Sequence, residues 1–201
     1  MKIYIIANGN YNYLSKLDGV VICADGGANN YKDFPDYVIG DMDSIDKELL
    51  VEYQLSDKVK VIFDKDKNKT DLELAIELAQ TLKPSQIIIL GAVGDRLDHT
   101  FGNLACLSKF DGKIKIEDEI QEIFLVSDYI EIIGEIGETM SIIPLNEVQG
   151  LTYTGLEWNV ENKDVEFGWL GVCNKLIQEK ATIKLKSGKL LVFKLTHIRS
   201  T

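Results

Sequence analysis

Aspartates crowd the segment at residues 37–46, YVIGDMDSID, directly after a short apolar run. Asp41, Asp43 and Asp46 are so close in sequence that their like charges repel one another. A bound cation or a helix N-terminus would relieve that repulsion. The segment therefore indicates chemistry that needs negative charge, or the start of a helix.

Other carboxylates share this placement at the end of an apolar run or in the first turn of the following helix: Asp25, Asp41, Asp64, Asp71, Asp95 and Asp98. In parallel α/β sheets, ligands bind outside the carboxyl ends of the strands. A single aspartate there is usually a turn former or a helix cap. Several of them at one edge favour a bound divalent cation, and ligand sets made only of oxygen select Mg²⁺ or Mn²⁺ over zinc.

Glycines stand between a strand and a predicted helix start in the segments CADGGANN and GAVGDRLDH. Such turns, for example Gly26 and Gly27, let backbone N–H groups approach a phosphate. Neither segment is a Walker-type loop or a complete dinucleotide fingerprint. Together with Arg96, Lys67 and the aspartates, they indicate a Mg²⁺-polyphosphate site of a different design.

The elements that position these residues alternate in the first part of the chain. Short runs rich in Ile and Val, such as KIYIIAN and GVVICAD, end at Gly, Asn or Asp. Between them, residues 70–82 have a helical period, with Thr70 and Glu73 as a capping box, and LDHTFGNLACLSKF predicts a second helix. Strands apolar on both faces that alternate with helices predict a parallel sheet covered on both sides.

The pattern changes after about Asp118. Segments such as ATIKLKSGKLLVFKL alternate apolar and polar residues, and Lys186-Ser-Gly-Lys189 predicts a hairpin turn. We therefore expect an α/β fold class: an N-terminal parallel-sheet α/β domain, residues 1–120, followed by a C-terminal antiparallel β-sandwich or barrel domain, residues 121–201.

Composition narrows the classes of partner. A formal net charge of -10 argues against a general nucleic-acid-binding surface, which needs clustered Lys and Arg. The start, MKIYIIANGN, is too short an apolar run for a signal peptide or a membrane span. Cys23, Cys106 and Cys173 form no metal spacing and leave one thiol unpaired in any disulfide scheme. We expect a cytoplasmic protein with reduced thiols and no membrane partner.

The motifs ADGGAN, PDYVIGDMDSI, TDLELAI and GAVGDRLDHT, in that order, resemble those of the thiamine pyrophosphokinase family, and TYTGLEWNV and LGVCNKL extend the resemblance to most of the chain. The family resemblance implies an ATP:thiamine diphosphotransferase. That enzyme transfers pyrophosphate from ATP to the hydroxyethyl group of thiamine, giving thiamine diphosphate and AMP. The resemblance also implies a homodimer, with thiamine held between the α/β part of one subunit and the β part of the other.

The resemblance also implies roles for individual residues. The Mg²⁺ ligands, or their water-mediated partners, and the catalytic carboxylates would be Asp41, Asp43, Asp71 and Asp98. Either Asp71 or Asp98 would orient or deprotonate the thiamine hydroxyl. The residues that bind the ATP co-substrate would be Asp25, Gly26, Gly27, Asn29, Lys67 and Arg96. Thiamine would be bound by Trp158, whose ring offers a face for the pyrimidine, and by Cys173 and Asn174.

Two positions depart from the family's pattern. Asn68 stands where an aspartate is expected, so an essential charge at that position is in question. Cys173 stands where serine is usual, and a thiol is a poor substitute for a hydroxyl hydrogen bond. Asp95 and His99 have no assigned role, although a histidine at a helix start is more often a packing or capping residue.

Two other functions would use a similar cluster of carboxylates. A Mg²⁺-dependent phosphohydrolase of nucleotides would replace thiamine with water, but it would give Trp158 no task. A non-catalytic nucleotide-binding sensor would need the cluster only for binding. An assay for AMP formation separates all three.

Overall fold

The structure of the chain, a computed structural model, describes residues 1–9, 17–65 and 68–195. Contacts within the chain divide it into two units. We call the first, Met1–Cys106 with Ile116–Asp118, the α/β unit, and the second, Leu107–Lys115 with Glu119–Thr201, the β unit. The division of the chain into domains at residues 1–120 and 121–201 stays a prediction.

The α/β unit contains a parallel sheet with its helices. Its elements in chain order are β1 (Lys2–Ile6), β2 (Val20–Ala24), β3 (Tyr37–Gly40), α1 (Lys47–Leu55), β4 (Lys60–Phe63), α2 (Asp71–Thr81), β5 (Gln86–Leu90) and α3 (Leu97–Cys106). The strand order is β5-β1-β2-β3-β4, and each neighbouring pair is parallel. Because β5 lies on the far side of β1, the chain reverses its direction of travel across the sheet between these strands. Ligands of α/β proteins bind at such a point.

Helices cover the sheet because its strands are apolar on both sides. The consecutive pair Ile5 and Ile6 is fully buried, as is the pair Ile22 and Cys23. One face packs against α1 through Tyr53, and α2 contacts β1, β2 and β3. The parallel sheet with helices that the sequence predicted is therefore confirmed.

Both predicted helices are present. The helix expected over residues 70–82 is α2, and the hydroxyl of Thr70 accepts the backbone N–H of Glu73 at 3.2 Å, as in the predicted cap. The helix expected in LDHTFGNLACLSKF is α3, which passes into a 3-10 turn at Leu107–Lys109. Among the described residues, no helix is long and apolar enough to cross a membrane.

The β unit is a sandwich of two antiparallel sheets. The strands after α3 are β6 (Ile114–Glu117), which contributes residues to both units, β7 (Gln121–Val126), β8 (Tyr129–Ile133), β9 (Thr139–Pro144), β10 (Val148–Thr154), β11 (Val160–Val165), β12 (Gly171–Lys175), β13 (Lys180–Lys184) and β14 (Leu190–Leu195). One sheet has the order β12-β9-β14-β7 and the other β11-β10-β13-β8. Side chains of both, such as Met140 and Leu190 from the first and Leu151 and Ile183 from the second, form one core. The predicted antiparallel β fold is confirmed.

The predicted hairpin at Lys186–Lys189 is wrong. The turn is real, and Gly188 has a φ of +96°, but it joins β13 to β14, which belong to different sheets. Ser187 pairs with Gln149 instead. Alternating polarity predicts strands on both sides of a turn, but it does not say whether the second strand returns beside the first or crosses the core.

Candidate active site

Carboxylates meet at the carboxyl edge of the parallel sheet. Asp25 follows β2 and Asp41 follows β3, with Asp43 two residues further on. Carboxylate oxygens of these three residues lie within 4.8 Å of one another. We call Asp25, Asp41 and Asp43 the carboxylate group. Three oxygen ligands at such distances suit a Mg²⁺ or Mn²⁺ ion, which prefers carboxylates.

Asp71, the first residue of α2, lies beside the carboxylate group. A Cβ atom on residue 40 would be 2.7 Å from Asp71 Oδ1 and 2.9 Å from the Cβ of Asp25. Gly40 also has a φ of +146°, a conformation that side chains with a Cβ rarely adopt. Glycine at the end of β3 therefore allows the side chains from β2 and α2 to approach each other.

The electrostatics of the site favour a bound cation. Burial raises the pKa of Asp71, and the charges of Asp25, Asp41 and Asp43 raise it further. Burial also raises the pKa of Asp25, which is 1% exposed, although the backbone N–H groups of Ser44 and Ile45 act in the opposite direction. Both carboxyls hold protons more tightly than usual, first because they are buried and then because other carboxylates are close, and a metal ion would neutralise that negative charge.

The raised pKa of Asp71 predicts that replacing this residue by asparagine stabilises the metal-free protein. Folding raises the pKa of Asp71, so its contribution to stability is fully present below the unfolded pKa of about 3.9 and is lost as pH rises through the folded pKa. Asp71→Asn avoids this loss, and we expect it to melt at a higher temperature than the wild type at neutral pH in chelator. The gap should close as the pH is lowered toward about 4. The exposed Asp57 provides the control, because Asp57→Asn should leave the melting temperature unchanged. A lower melting temperature for Asp71→Asn at neutral pH would contradict the prediction.

Backbone and amide groups hold the loop after β3 against the turn after β2. Asp25 accepts the backbone N–H groups of Ser44 and Ile45, each at 3.1 Å. Asn29 donates to the carbonyl of Ser44 at 2.9 Å and accepts the N–H of Asp46 at 2.8 Å. Asn29, predicted to bind the nucleotide, thus connects the two loops that carry the carboxylate group.

Asp46, the third aspartate of the acidic segment, caps a helix. Its carboxylate accepts the N–H groups of Glu48 at 2.9 Å and Leu49 at 3.1 Å at the start of α1. The helix N-terminus therefore takes up its charge. The acidic segment serves two purposes, because Asp41 and Asp43 belong to the carboxylate group while Asp46 caps α1.

The cap predicts a purely structural effect. Asp46→Ala should lower the free energy of unfolding by about 1 kcal/mol, because two N–H groups at the start of α1 lose their acceptor. Asp46→Asn keeps an acceptor oxygen and should unfold like the wild type. Urea denaturation measures both. Equal stability of Asp46→Ala and the wild type would show that the cap does not stabilise the fold.

A cavity of about 710 Å³ opens beside the carboxylates in the α/β unit. Its walls combine side chains at the carboxyl ends of the strands with those at the start of α2 and α3, and include Asn8, Gly9, Asp41, Asp43, Asp64, Lys65, Lys69, Asp71, Asp95, Arg96, Asp98, His99 and Asn103. The volume is in the range of sites for cofactors and small ligands. The sequence analysis did not predict Asn8 or Lys69 as site residues. The position of Asn8 directly after the first apolar run could have indicated that it lies at the carboxyl edge of the sheet.

Glycines bring backbone close to backbone around this cavity. A Cβ on Gly27 would lie 2.1 Å from the carbonyl oxygen of Ile6, and one on Gly26 would lie 2.5 Å from Asn8 Nδ2. Gly9 donates its N–H to the carbonyl of Gly91 at 2.8 Å. Gly26 and Gly27 therefore allow close packing of the turn after β2 against the segment after β1, and their predicted contact with the nucleotide stays a prediction.

Arg96 and Asp98 form a pair on the rim of the cavity. The guanidinium donates to both carboxylate oxygens, at 2.9 and 2.6 Å. The pair is exposed, and the hydrogen bonds of Arg96 hold the pKa of Asp98 well below its usual range. Asp98, predicted as a metal ligand, is thus oriented by Arg96 and does not belong to the carboxylate group, whereas Asp25, predicted on the nucleotide side, does. Lys67 lies outside the described residues.

In the β unit, the predicted thiamine-binding residues lie close together. Trp158 is 59% exposed. The side chain of Asn174, buried on β12, accepts the Trp158 N–H at 3.1 Å and donates to the Trp158 carbonyl at 2.7 Å. Cys173 is exposed, and its backbone N–H donates to the Ser141 hydroxyl at 3.1 Å. The arrangement presents an indole ring to solvent on a segment held by hydrogen bonds.

Comparison with known proteins gives one consistent result. The family model for the thiamin pyrophosphokinase catalytic domain matches residues 11–117, and that for the thiamin pyrophosphokinase vitamin B1 binding domain matches residues 128–190. Thiamine pyrophosphokinase 1 of Oryza sativa subsp. japonica is 30% identical over 86% of this chain and 76% of its own. Thiamine pyrophosphokinase of Bacillus subtilis is 29% identical over 96% of this chain and 98% of its own. The crystal structure of thiamine pyrophosphokinase from Bacillus subtilis superimposes with a TM-score of 0.82 at 26% identity, covering 98% of this chain and 100% of that one.

Proposed function

The chain belongs to the thiamin pyrophosphokinase family, and from this premise we propose that it transfers pyrophosphate from ATP to the hydroxyethyl group of thiamine in a Mg²⁺-dependent reaction. The products are thiamine diphosphate and AMP. Synthesis of thiamine diphosphate from thiamine follows from the family itself. The remaining parts of the proposal are supported by the site. They are ATP as the donor, Mg²⁺ as the cofactor and the roles of individual residues.

The observation that carries this proposal is the meeting of the carboxylate group with Asp71 beside a cavity at the carboxyl edge of the sheet. Phosphoryl transfer depends on positioning and on neutralising negative charge more than on covalent help from the protein. Four neighbouring aspartates whose negative charges repel one another are unfavourable without a cation. A polyphosphate that carries Mg²⁺ satisfies both requirements.

The residues present fit a Mg²⁺ ion. Asp25, Asp41, Asp43 and Asp71 would hold it, because they offer only carboxylate oxygens and repel one another without it. When bound, Mg²⁺ neutralises charge on the non-bridging oxygens of the phosphates. Asp25 is an addition to the ligand set that the sequence resemblance implied, and the role of Asp98 as a ligand stays a prediction.

Asp71 is our choice for the residue that takes the proton from thiamine. The hydroxyl oxygen forms a bond to the β-phosphorus, the bond from that phosphorus to the oxygen shared with the α-phosphate breaks, and AMP leaves with that oxygen. The hydroxyl proton passes to a carboxylate. Asp71 lies against the carboxylate group and lines the cavity, whereas both carboxylate oxygens of Asp98 already accept hydrogen bonds from Arg96.

The phosphates of ATP would meet positive charge on the same rim of the cavity. Arg96, which lines the cavity with Lys65 and Lys69, has a planar guanidinium suited to phosphate oxygens. Lys67 lies outside the described residues, and its predicted contact with the phosphates stays a prediction. The turn Asp25–Asn30, with Gly26 and Gly27, would contact the nucleotide.

The thiamine end of the site would be built in the β unit. Trp158 offers an exposed flat face for the pyrimidine ring, with Cys173 close by. We propose that this face completes the site of a second copy of the chain, in a homodimer with shared active sites. Large apolar side chains near Trp158 in sequence are also exposed in the β unit, and a second copy would cover them: Phe167, Leu170, Val172 and Ile177.

One incubation tests the proposal. Purified protein with ATP, Mg²⁺ and thiamine should form AMP and thiamine diphosphate in equal amounts, and chelation of Mg²⁺ should stop the reaction. Release of ADP or inorganic phosphate without thiamine diphosphate would indicate a phosphohydrolase. Binding of ATP with no product in any combination would indicate a nucleotide sensor.

A further inference from the structure

Asn174 is buried beneath the exposed Trp158. Asn174 lies on β12 and is only 4% exposed. The amide oxygen accepts the backbone N–H groups of Trp158 at 3.1 Å and of Lys175 at 2.9 Å. The amide nitrogen donates to the Trp158 carbonyl at 2.7 Å. One buried side chain thus binds both backbone polar groups of the tryptophan.

Backbone groups use most of the hydrogen-bonding capacity of this amide. A side-chain amide has two donors and accepts two hydrogen bonds. Both acceptor positions and one donor are taken by the backbone of Trp158 and Lys175. The side chain that carries the remaining donor is buried, so it is shielded from a ligand that binds at the surface.

The backbone before Trp158 is also fixed. Leu156 is fully buried, pairs with Leu176, and donates its N–H to the side chain of Asn159 at 3.2 Å. Gly155 has a φ of +84°, and a Cβ there would lie 2.3 Å from the carbonyl of Lys180. The segment therefore has a fixed backbone on both sides of an indole ring that stays exposed.

We propose that Asn174 is a positioning residue for the thiamine site, which acts by holding the backbone of Trp158 and does not touch thiamine. This inference rests on the proposed function and changes the role that the motif resemblance implied for Asn174. A ring presented on a fixed backbone loses little conformational entropy when a ligand stacks on it. Removal of the amide weakens stacking because Trp158 becomes mobile while the phosphate chemistry elsewhere is unaffected.

A double-mutant cycle separates positioning from direct contact. Asn174→Ala should raise the KM for thiamine about tenfold and change kcat by less than about twofold. In a Trp158→Ala background, Asn174→Ala should raise KM no further, since the ring that it positions is gone. If the two substitutions instead multiply in their effects on KM, Asn174 contacts thiamine independently of Trp158 and the inference is wrong.

A measurement without turnover keeps this inference separate from the proposed function. In a Trp169→Phe background, Trp158 is the remaining tryptophan, and Asn174→Ala should lower its fluorescence anisotropy at unchanged circular dichroism. Unchanged anisotropy would overturn the inference even if the protein makes thiamine diphosphate. Lowered anisotropy would support positioning even in a protein that proves to make none.

Two further variants serve as controls. Asn146→Ala removes another asparagine that accepts a backbone N–H in the β unit, that of Lys189 at 2.8 Å, and should leave both anisotropy and KM unchanged. If Asn174→Ala does not fold, Asn174→Asp retains the shape and the acceptor oxygens but cannot donate to the Trp158 carbonyl. It should raise KM in the same direction, and a wild-type KM in that variant would overturn the inference.

Discussion

Asp43→Asn and Asp71→Asn are each expected to lower kcat by about two orders of magnitude or more, the scale of losing a main electrostatic contact to a transition state. Asp43 belongs to the carboxylate group, and Asp71 lies against it with its pKa raised by burial and by its neighbours. An amide keeps the shape and an acceptor oxygen but removes the charge that a cation requires. Steady-state formation of AMP with thiamine and Mg²⁺ at saturation measures the effect.

Asp46 supplies the matched control for these substitutions. It lies in the same acidic segment but caps α1, so Asp46→Asn should retain kcat near the wild-type value. Calorimetric titration adds a direct readout, because Mg²⁺ affinity should fall in Asp43→Asn and stay unchanged in Asp46→Asn. Near-normal turnover in both Asp43→Asn and Asp71→Asn would refute the metal site at this edge of the sheet.

Mixing two inactive variants is expected to restore activity. If thiamine stacks on Trp158 of one subunit while its hydroxyl meets Asp71 of the other, each active site of a homodimer draws on both subunits. In a mixed dimer of Trp158→Ala and Asp71→Asn subunits, one site collects both substitutions and the other collects neither. Activity should therefore approach about half the wild-type value per mixed dimer if the sites are independent.

The two parent variants should fail in different ways. Loss of the indole should mainly raise the KM for thiamine. By analogy with the stacking of bases on aromatic side chains, the rise should correspond to a loss of about 1–3 kcal/mol of binding free energy. Loss of the Asp71 charge should act on kcat. Native mass spectrometry must confirm that mixed dimers form. Confirmed mixed dimers without recovered activity would place Trp158 and Asp71 in the same subunit's site.

Much of the fold follows from local patterns in the sequence. Apolar runs that end at Asp, Asn or Gly predicted the strands of the α/β unit, because strands buried on both faces leave no polar positions until they reach the sheet edge. Thr70 predicted the start of α2, since its hydroxyl meets a backbone N–H three residues away. These features depend on neighbours in sequence and are therefore visible without tertiary structure.

The sequence did not show which groups each aspartate contacts in the folded protein. Asp41, Asp43 and Asp46 look alike in sequence, but a turn at the end of β3 directs Asp46 to the N-terminus of α1 and leaves the other two near Asp25. Asp25 directly follows β2 and Asp98 lies in the first turn of α3, yet Arg96 donates to both carboxylate oxygens of Asp98. Side-chain direction and local competition for hydrogen bonds decide these outcomes.

The sequence by itself determined the residue types at the site and the sheet edge at which they gather, because both depend on where apolar runs stop. Only the tertiary structure decided which of them meet. The position of β5 beside β1, the approach of Asp71 over Gly40, and the crossing of the chain between sheets after β13 are contacts between residues distant in sequence. Asn174 shows the same limit, since its burial under Trp158 depends on how the segment before β11 packs against β12, and no local pattern encodes that packing.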